Sequence, residues 1–224
     1  MKFLNIDNKN LLLLLLSFLF VLTVQQFELF KGNSLYLVHA IKDFEENNLQ
    51  HDWISKQTDH LPLFTYFNFF LIKIFSKKIL FILHAILLGI CSFFIFNICK
   101  ILFPNLKNQS LSLIWFAFFI FVFHEHSFFT GVAGHDVINE GYQPASFGVL
   151  FFISIYLYLI NKNYFFIFFI CLAASFHPTY ILHSGFFILA VLFYFIYQKK
   201  IIIFSKALLT YLILILPIVI YIFY

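Results

Sequence analysis

Apolar positions along this chain neither alternate nor recur with the spacing of a surface helix; they run on without a break. Continuous runs fall at about 11–27, 79–99, 111–128, 146–160, 164–176, 179–197 and 207–224. Several approach the roughly 20 residues that carry a helix across a bilayer. Only helices and closed barrels satisfy their backbone groups in lipid, and a barrel strand would show alternation. The pattern therefore predicts an all-α, polytopic bundle of about seven spans. Pro104, Gly131, Gly134, Gly141, Pro144 and Pro178 punctuate the gaps. Pro217 lies inside the last run, where neighbouring helices can absorb a kink. The run at 164–176 is short and leans on flanking residues such as Lys162 that reach back to the interface.

Two segments show periodicity instead. In LPLFTYFNFFLIKIFS, residues 61–76, Pro62 suits a helix start. Thr65, Asn68, Lys73 and Ser76 then form a thin polar stripe, as on a helix lying at the membrane surface. Upstream, Asn33 or Ser34 can cap a helix on which Leu35, Val38, Ile41 and Phe44 recur at helical spacing. The organisation is one integral membrane domain over 1–224. A first extracytoplasmic loop covers 25–78 with its surface helices, and a second covers 124–145. The last apolar run is still open at Tyr224, as a truncated chain would leave it.

Lysine decides the expected orientation. If 61–76 does not span, the segments 1–10, 100–110, 161–163 and 198–206 share one side. They carry Lys2, Lys9, Lys100, Lys107, Lys162, Lys199, Lys200 and Lys206. The positive-inside rule makes that side cytoplasmic. If 61–76 does span, six of those lysines fall outside and the rule fails. The N-terminus is then cytoplasmic, and the location is an integral one, in a bacterial inner membrane. Lys2 and Lys9 before Leu11–Val24 look like a signal peptide, but Gln25-Gln26-Phe27 offers no small-residue cleavage site, so an uncleaved first span is expected. On this topology nine of the ten acids and all nine histidines lie outside or in outer helix ends. Tyr156, Tyr158, Tyr164, Tyr194 and Tyr197 mark inner ends, and Tyr142, Tyr180 and Tyr221 outer ones, as in an aromatic belt.

Composition narrows the picture further. The chain is 62% hydrophobic and 11% charged, far from the soluble average. A net charge of +4 carried by scattered lysines, with no arginine, is no nucleic-acid footprint. The bilayer is the expected partner. Cys91, Cys99 and Cys171 sit in apolar runs and read as buried thiols rather than a disulfide framework. There is no phosphate-binding glycine loop, dinucleotide fingerprint, nucleophile elbow or CxxC pair.

The outer-face chemistry gathers in two places. His51-Asp52-Trp53 sets a carboxylate beside an imidazole and an indole, and His60 follows. A carboxylate can deprotonate a hydroxyl, and an aromatic can stack on a sugar ring. The bland alternative is a capped turn with an interfacial Trp. In FVFHEHSFFTGVAGHD, 121–136, the residues His124, His126, His135 and Asp136 have the ligand types for a divalent metal. An i, i+2 pair faces one way only on extended chain, and Gly131 and Gly134 would let the loop fold back. The bland alternative is a solvated loop. His84, His177 and His183 are ionisable groups at or within helices. They make a proton- or ion-conducting transporter the rival reading, with a neutral His bonded to a backbone carbonyl as its bland counterpart. A non-catalytic assembly subunit is the third.

The stretch HLPLFTYFNFFLIKIFSKKILFILHAILLGICSFFIFNICKILFP, 60–104, resembles the N-terminal part of the membrane glycosyltransferases of the GT-C class. The DW and TDHLPLF pieces also resemble a group of uncharacterised bacterial membrane proteins of the same layout. The resemblance implies a first helix, a long outer loop with a catalytic acid, and a Pro-opened juxtamembrane helix feeding the second span. It implies an enzyme, or an inactive relative, that uses a polyprenyl-phosphate sugar donor on the outer face. Asn33 and Ser34 stand where that class carries its acid, so the role passes to Asp52, with Glu28 as the alternative. His51, Trp53, His60, His135 and Asp136 would then meet the substrate or the donor phosphate.

Overall fold

The computed structural model describes residues 15, 34–42, 53–103, 142–162 and 164–223. Among these the fold is all-α. A 3₁₀ turn, Ser34–Leu37, runs into α1, Val38–Ile41; a second 3₁₀ turn, Ile54–Lys56, precedes α2, Pro62–Phe75. Then come α3, Ile79–Leu102; a 3₁₀ segment, Pro144–Gly148, joined to α4, Val149–Leu159; α5, Phe165–Phe176; α6, Thr179–Tyr197; and α7, Ile201–Phe223. Three helices are long and apolar enough to cross a membrane: Ile79–Leu102, Thr179–Tyr197 and Ile201–Tyr221. α4 and α5 are apolar but shorter, at 11 and 12 residues. The expected spans at 11–27 and 111–128 lie outside the described residues apart from Leu15, so seven spans reduce here to three candidates.

The surface is that of a protein made for lipid. Leu182, Phe186, Leu189 and Phe193 on α6 and Leu209, Ile213, Leu216 and Ile220 on α7 are all exposed. A contiguous apolar surface of this extent is far beyond what a soluble monomer shows. Buried positions, by contrast, include Ser92, Asn97, Ser154 and Ser184. Their side chains donate to backbone carbonyls within the bundle: Ser92 to Gly89, Asn97 to Phe93, Ser154 to Phe166 and Ser184 to Ile181. An unpaired polar group in so apolar a setting would cost several kcal/mol by a rough estimate. The thiols of Cys91 and Cys171 are free and buried.

Helix directions follow from the contacts. His84 meets Tyr142 and Phe94 meets Tyr156, so α3 and α4 run parallel. Ser154 donates to the Phe166 carbonyl while Phe147 stacks on Phe176, so α5 runs back. α6 descends from the turn at His177-Pro178, and α7 returns with Tyr211 3.2 Å from Ser184. One end of the bundle therefore collects Ile79, 142–149, 176–180 and Tyr221. The other collects Leu102, 159–162, Tyr164 and 197–201, and with them Lys100, Lys162, Lys199 and Lys200. Of the lysines assigned to one side by the topology argument, these four share one end of the fold; Lys2, Lys9 and Lys107 lie outside the described residues.

α2 lies across the first end. Its approach is tied to α7, where the Tyr221 hydroxyl donates to the Asp59 carbonyl. Its middle touches α5 and the segment before α4, with Phe67 edge-on to both Phe176 and Phe147. Its C-terminus turns directly into α3. At 14 residues it covers about 21 Å. The expected polar stripe is split: Thr65 and Asn68 are buried, and only Lys73 and Ser76 are exposed. Tyr66, at 72% exposure, with Phe70, Ile74 and Phe75, forms the outer face instead. Thr65 and Asn68 thus face the bundle among Phe64 and Ile72, while the outward face of α2 is apolar.

Three boundaries move for local reasons. α7 begins at Ile201 rather than 207, because Gln198–Lys200 suffices for the turn and Ile201–Phe204 continue the helix. Ser205 bonds back to the Ile201 carbonyl at 3.1 Å. The helix before 149 starts early, with Pro144 in its first turn, a position that tolerates a missing N–H. α1 shows no side-chain cap; its expected apolar face is present in Val38 and Ile41, joined by Leu37 and Ala40. Pro217 is held inside α7 as expected.

Candidate functional site

The end crossed by α2 holds most of the bundle's buried polar side chains that reach between elements. Asn68 is fully buried. Its Nδ2 donates to the Phe64 carbonyl at 2.7 Å, one turn back, which fixes the amide and leaves Oδ1 facing out from α2. The Tyr142 hydroxyl donates to that Oδ1 at 2.7 Å. Tyr142 is 3% exposed, stacked on Phe64 with centroids 5.5 Å apart and edge-on to the buried His84 ring at 6.2 Å. Burial pushes the Tyr142 phenol well above its ordinary value, and the hydrogen bond to Asn68 offsets part of this. The group is therefore a neutral donor and not a base. The Thr65 hydroxyl, buried one turn before Asn68, has no hydrogen-bond partner among the described residues.

The segment after Tyr142 is sealed in the same way. Gln143 and Ser146 form a reciprocal capping box at the start of the Pro144–Gly148 turn. The Tyr180 hydroxyl donates to the Ala145 carbonyl at 2.7 Å. Phe147 lies flat on Phe176, centroids 3.8 Å apart and rings within 4°. Every residue from Tyr142 to Leu150 is buried. Residues 142–145 were expected as the end of the second extracytoplasmic loop, and Tyr142 and Tyr180 as interfacial tyrosines. They are buried anchors instead, because each phenol finds a partner on another element. Proline at a helix start was the visible signal; the partners, 74 and 35 residues away, left no local trace.

The histidines at this end do not converge. His177 is buried, and its Nδ1 lies 2.6 Å from the Thr179 hydroxyl and 3.3 Å from the Thr179 N–H, so the ring closes the first turn of α6. His183 is exposed, with Nδ1 2.9 Å from the Thr179 carbonyl, the backbone-bonded state expected of it. Tyr180 sits between their rings at 5.6 and 5.9 Å, while His84 faces Tyr142. Among the described residues no group of three His, Cys, Asp or Glu side chains is placed to hold a metal.

Of the sequence-predicted site residues, Glu28, His51, Asp52, His124, His126, His135 and Asp136 lie outside the described residues. Trp53 and His60 lie within them. Trp53 is 67% exposed and opens the turn Ile54–Lys56, with the Lys56 N–H bonded to its carbonyl at 3.3 Å. His60 is exposed on the approach to α2. Its neighbour Asp59, the one carboxylate among the described residues, accepts the Leu61 N–H at 2.9 Å. That acid is committed to starting α2. Sequence reasoning passed over it, though an Asp three residues before the proline that opens a helix signals this use.

No family model, curated protein or solved structure matches this chain.

Proposed function

We propose that this integral membrane helical bundle is a glycosyltransferase of the GT-C layout, taking its sugar from a polyprenyl phosphate at the end crossed by α2. One observation carries the reading: a Pro62-opened helix lies across that end and turns straight into a long apolar helix, with the exposed Trp53 and His60 on its approach. The carboxylate next to Trp53 in sequence, Asp52, is the general base, and Glu28 is its alternative. Asp52 takes the proton of the acceptor hydroxyl. The hydroxyl oxygen bonds to the anomeric carbon, the bond from that carbon to the phosphate oxygen breaks, and the polyprenyl phosphate leaves with the electron pair. Trp53 stacks on the sugar ring. His51, His60, His135 and Asp136 contact the sugar and donor headgroup, where hydrogen bonds stabilise the developing charge.

The test is transfer of radiolabelled sugar from a polyprenyl-phosphate donor in membranes containing the full chain. Asp52→Asn should abolish transfer at an unchanged protein level, and Trp53→Ala should raise KM with a smaller effect on kcat. Full transfer by Asp52→Asn and by Glu28→Gln alike would remove this mechanism.

A further inference from the structure

Where α7 ends against the approach to α2, phenols from two helices far apart in the chain meet one acid. The Tyr221 hydroxyl donates to the Asp59 carbonyl, and the Asp59 carboxylate and the Tyr66 phenol both lie within electrostatic reach of Tyr221. The carboxylate is held in place, because its Oδ1 accepts the Leu61 N–H at 2.9 Å. That bond uses one of about four acceptor positions on its two oxygens. Tyr66 and Tyr221 are exposed, as is His60, next in sequence to Asp59.

Which ends of these groups converge decides what they recognise. A cage for a quaternary ammonium turns ring faces toward its ligand. Here the oxygen ends gather: a carboxylate that accepts, and two phenols that donate and accept. That chemistry suits a polyhydroxylated headgroup, whose adjacent hydroxyls present donors and acceptors together. The same helix supplies an apolar bed beside it. Tyr66, Phe70 and Ile74 stand at i, i+4 and i+8, share one face of α2 and are all exposed. The ridge stops before Ser76, which takes φ 87° and ψ 166° where the chain turns into α3, a conformation nearly restricted to glycine.

We infer that the α2–α7 junction binds a glycolipid of the surrounding leaflet, with the hydroxyls of its sugar at Asp59, Tyr66 and Tyr221 and its acyl part on Phe70 and Ile74. An apolar ridge alone would take any lipid. A hydrogen bond to a carboxylate is roughly twice as strong as one between neutral groups, so Asp59 supplies most of the selectivity. The inference rests on the glycosyltransferase reading only in making this lipid the acceptor; the binding stands on the cluster itself.

The full chain, purified in mild detergent, is titrated with monoglucosyl diacylglycerol, diacylglycerol or phosphatidylcholine of the same acyl chains, and bound lipid is counted by native mass spectrometry. The glycolipid should be retained about tenfold more tightly than either other lipid, as one charge-assisted hydrogen bond gives. Asp59→Asn keeps an oxygen for the Leu61 N–H, and with it the start of α2, yet should lose most of that preference. Tyr66→Phe, at an exposed position, should lose about threefold. Equal retention of glycolipid and diacylglycerol, phosphatidylcholine held as tightly as the glycolipid, or an undiminished preference in Asp59→Asn would overturn the inference. Transfer of radiolabelled sugar from a polyprenyl phosphate to the glycolipid is followed in parallel. Preferential binding without transfer would remove the glycosyltransferase reading and leave this site. Transfer without preferential binding would remove this site and leave the reading.

Discussion

The turns that close α4 and α6 are one structure built twice from neighbouring residues, whereas at the opposite end side chains bridge elements far apart in the chain. After α4, Asn161 takes φ 60°, its N–H bonds to the Tyr158 carbonyl at 3.0 Å, and the Lys162 N–H reaches the Leu157 carbonyl at 2.8 Å. After α6, Lys199 takes φ 56°, its N–H bonds to Ile196 at 2.9 Å, and the Lys200 N–H reaches Phe195 at 2.9 Å. Both are Schellman closures, which need only a left-handed residue and six residues of chain. At the other end Asn68 waits for Tyr142 and Ala145 for Tyr180. Local closures form with little loss of chain entropy. Distant ones require the chain between to be placed first. The end that carries the proposed chemistry is thus the end whose assembly depends on the whole fold.

That contrast breaks most sharply at Tyr142. Tyr142→Phe leaves the Asn68 Oδ1 buried with no donor from Tyr142, which should cost about 1–3 kcal/mol. Thermal unfolding in detergent micelles measures it, and a Tyr142→Phe, Asn68→Leu pair should cost less than the sum of the single changes. The pH dependence carries a sign. Burial raises the folded-state phenol above its ordinary value of 10.0, so its contribution is complete below about pH 10 and is lost as pH rises further. Tyr142→Phe should remove that alkaline loss. An unchanged alkaline limb would mean that Tyr142 is not the buried phenol responsible.

The same contrast decides what could be read from sequence. The candidate spans announce themselves because continuous apolar runs have one stable home. Thr179–Tyr197 was legible to the residue, since Pro178 opens it and Gln198-Lys199-Lys200 closes it. The gathering of Lys100, Lys162, Lys199 and Lys200 at one end was legible too, through charge. What failed was the inner lining of the other end. Thr65 and Asn68 at helical spacing look alike whether they face water or a buried phenol, and only Tyr142, 74 positions from Asn68, tells the two apart. Tyr142 in turn sits in a polar, Pro-marked stretch that reads as loop. Of the candidate site only Trp53 and His60 lie among the described residues, and the role of Asp59 as the start of α2 was not weighed against the more conspicuous Asp52.

Ser76 and Lys199 compare the two ends within one kind of substitution. Ser76 sits where essentially only glycine is comfortable, at a strain of about 1–3 kcal/mol. Glycine would relieve it but would lose roughly 0.4–1 kcal/mol through the freer unfolded chain. Ser76→Gly should therefore raise stability by about 1 kcal/mol. If it lowers stability instead, the α2–α3 corner is not strained.

Lys199→Gly should yield less, because its left-handed conformation is one that a Schellman closure uses routinely and that an L-residue reaches for about 1–2 kcal/mol. Against the same entropic loss the gain is about 0.5 kcal/mol. Asn161→Gly should change stability by a few tenths at most, since Asn tolerates that region better than Lys. The ordering Ser76, Lys199, Asn161 follows from backbone angle and side-chain type alone, and thermal unfolding of the three single variants checks it. A reversed order would mean that tertiary packing, not the local closure, sets the stability of the lysine-bearing turns. The two ends would then differ in where their partners lie along the chain and not in how they are held.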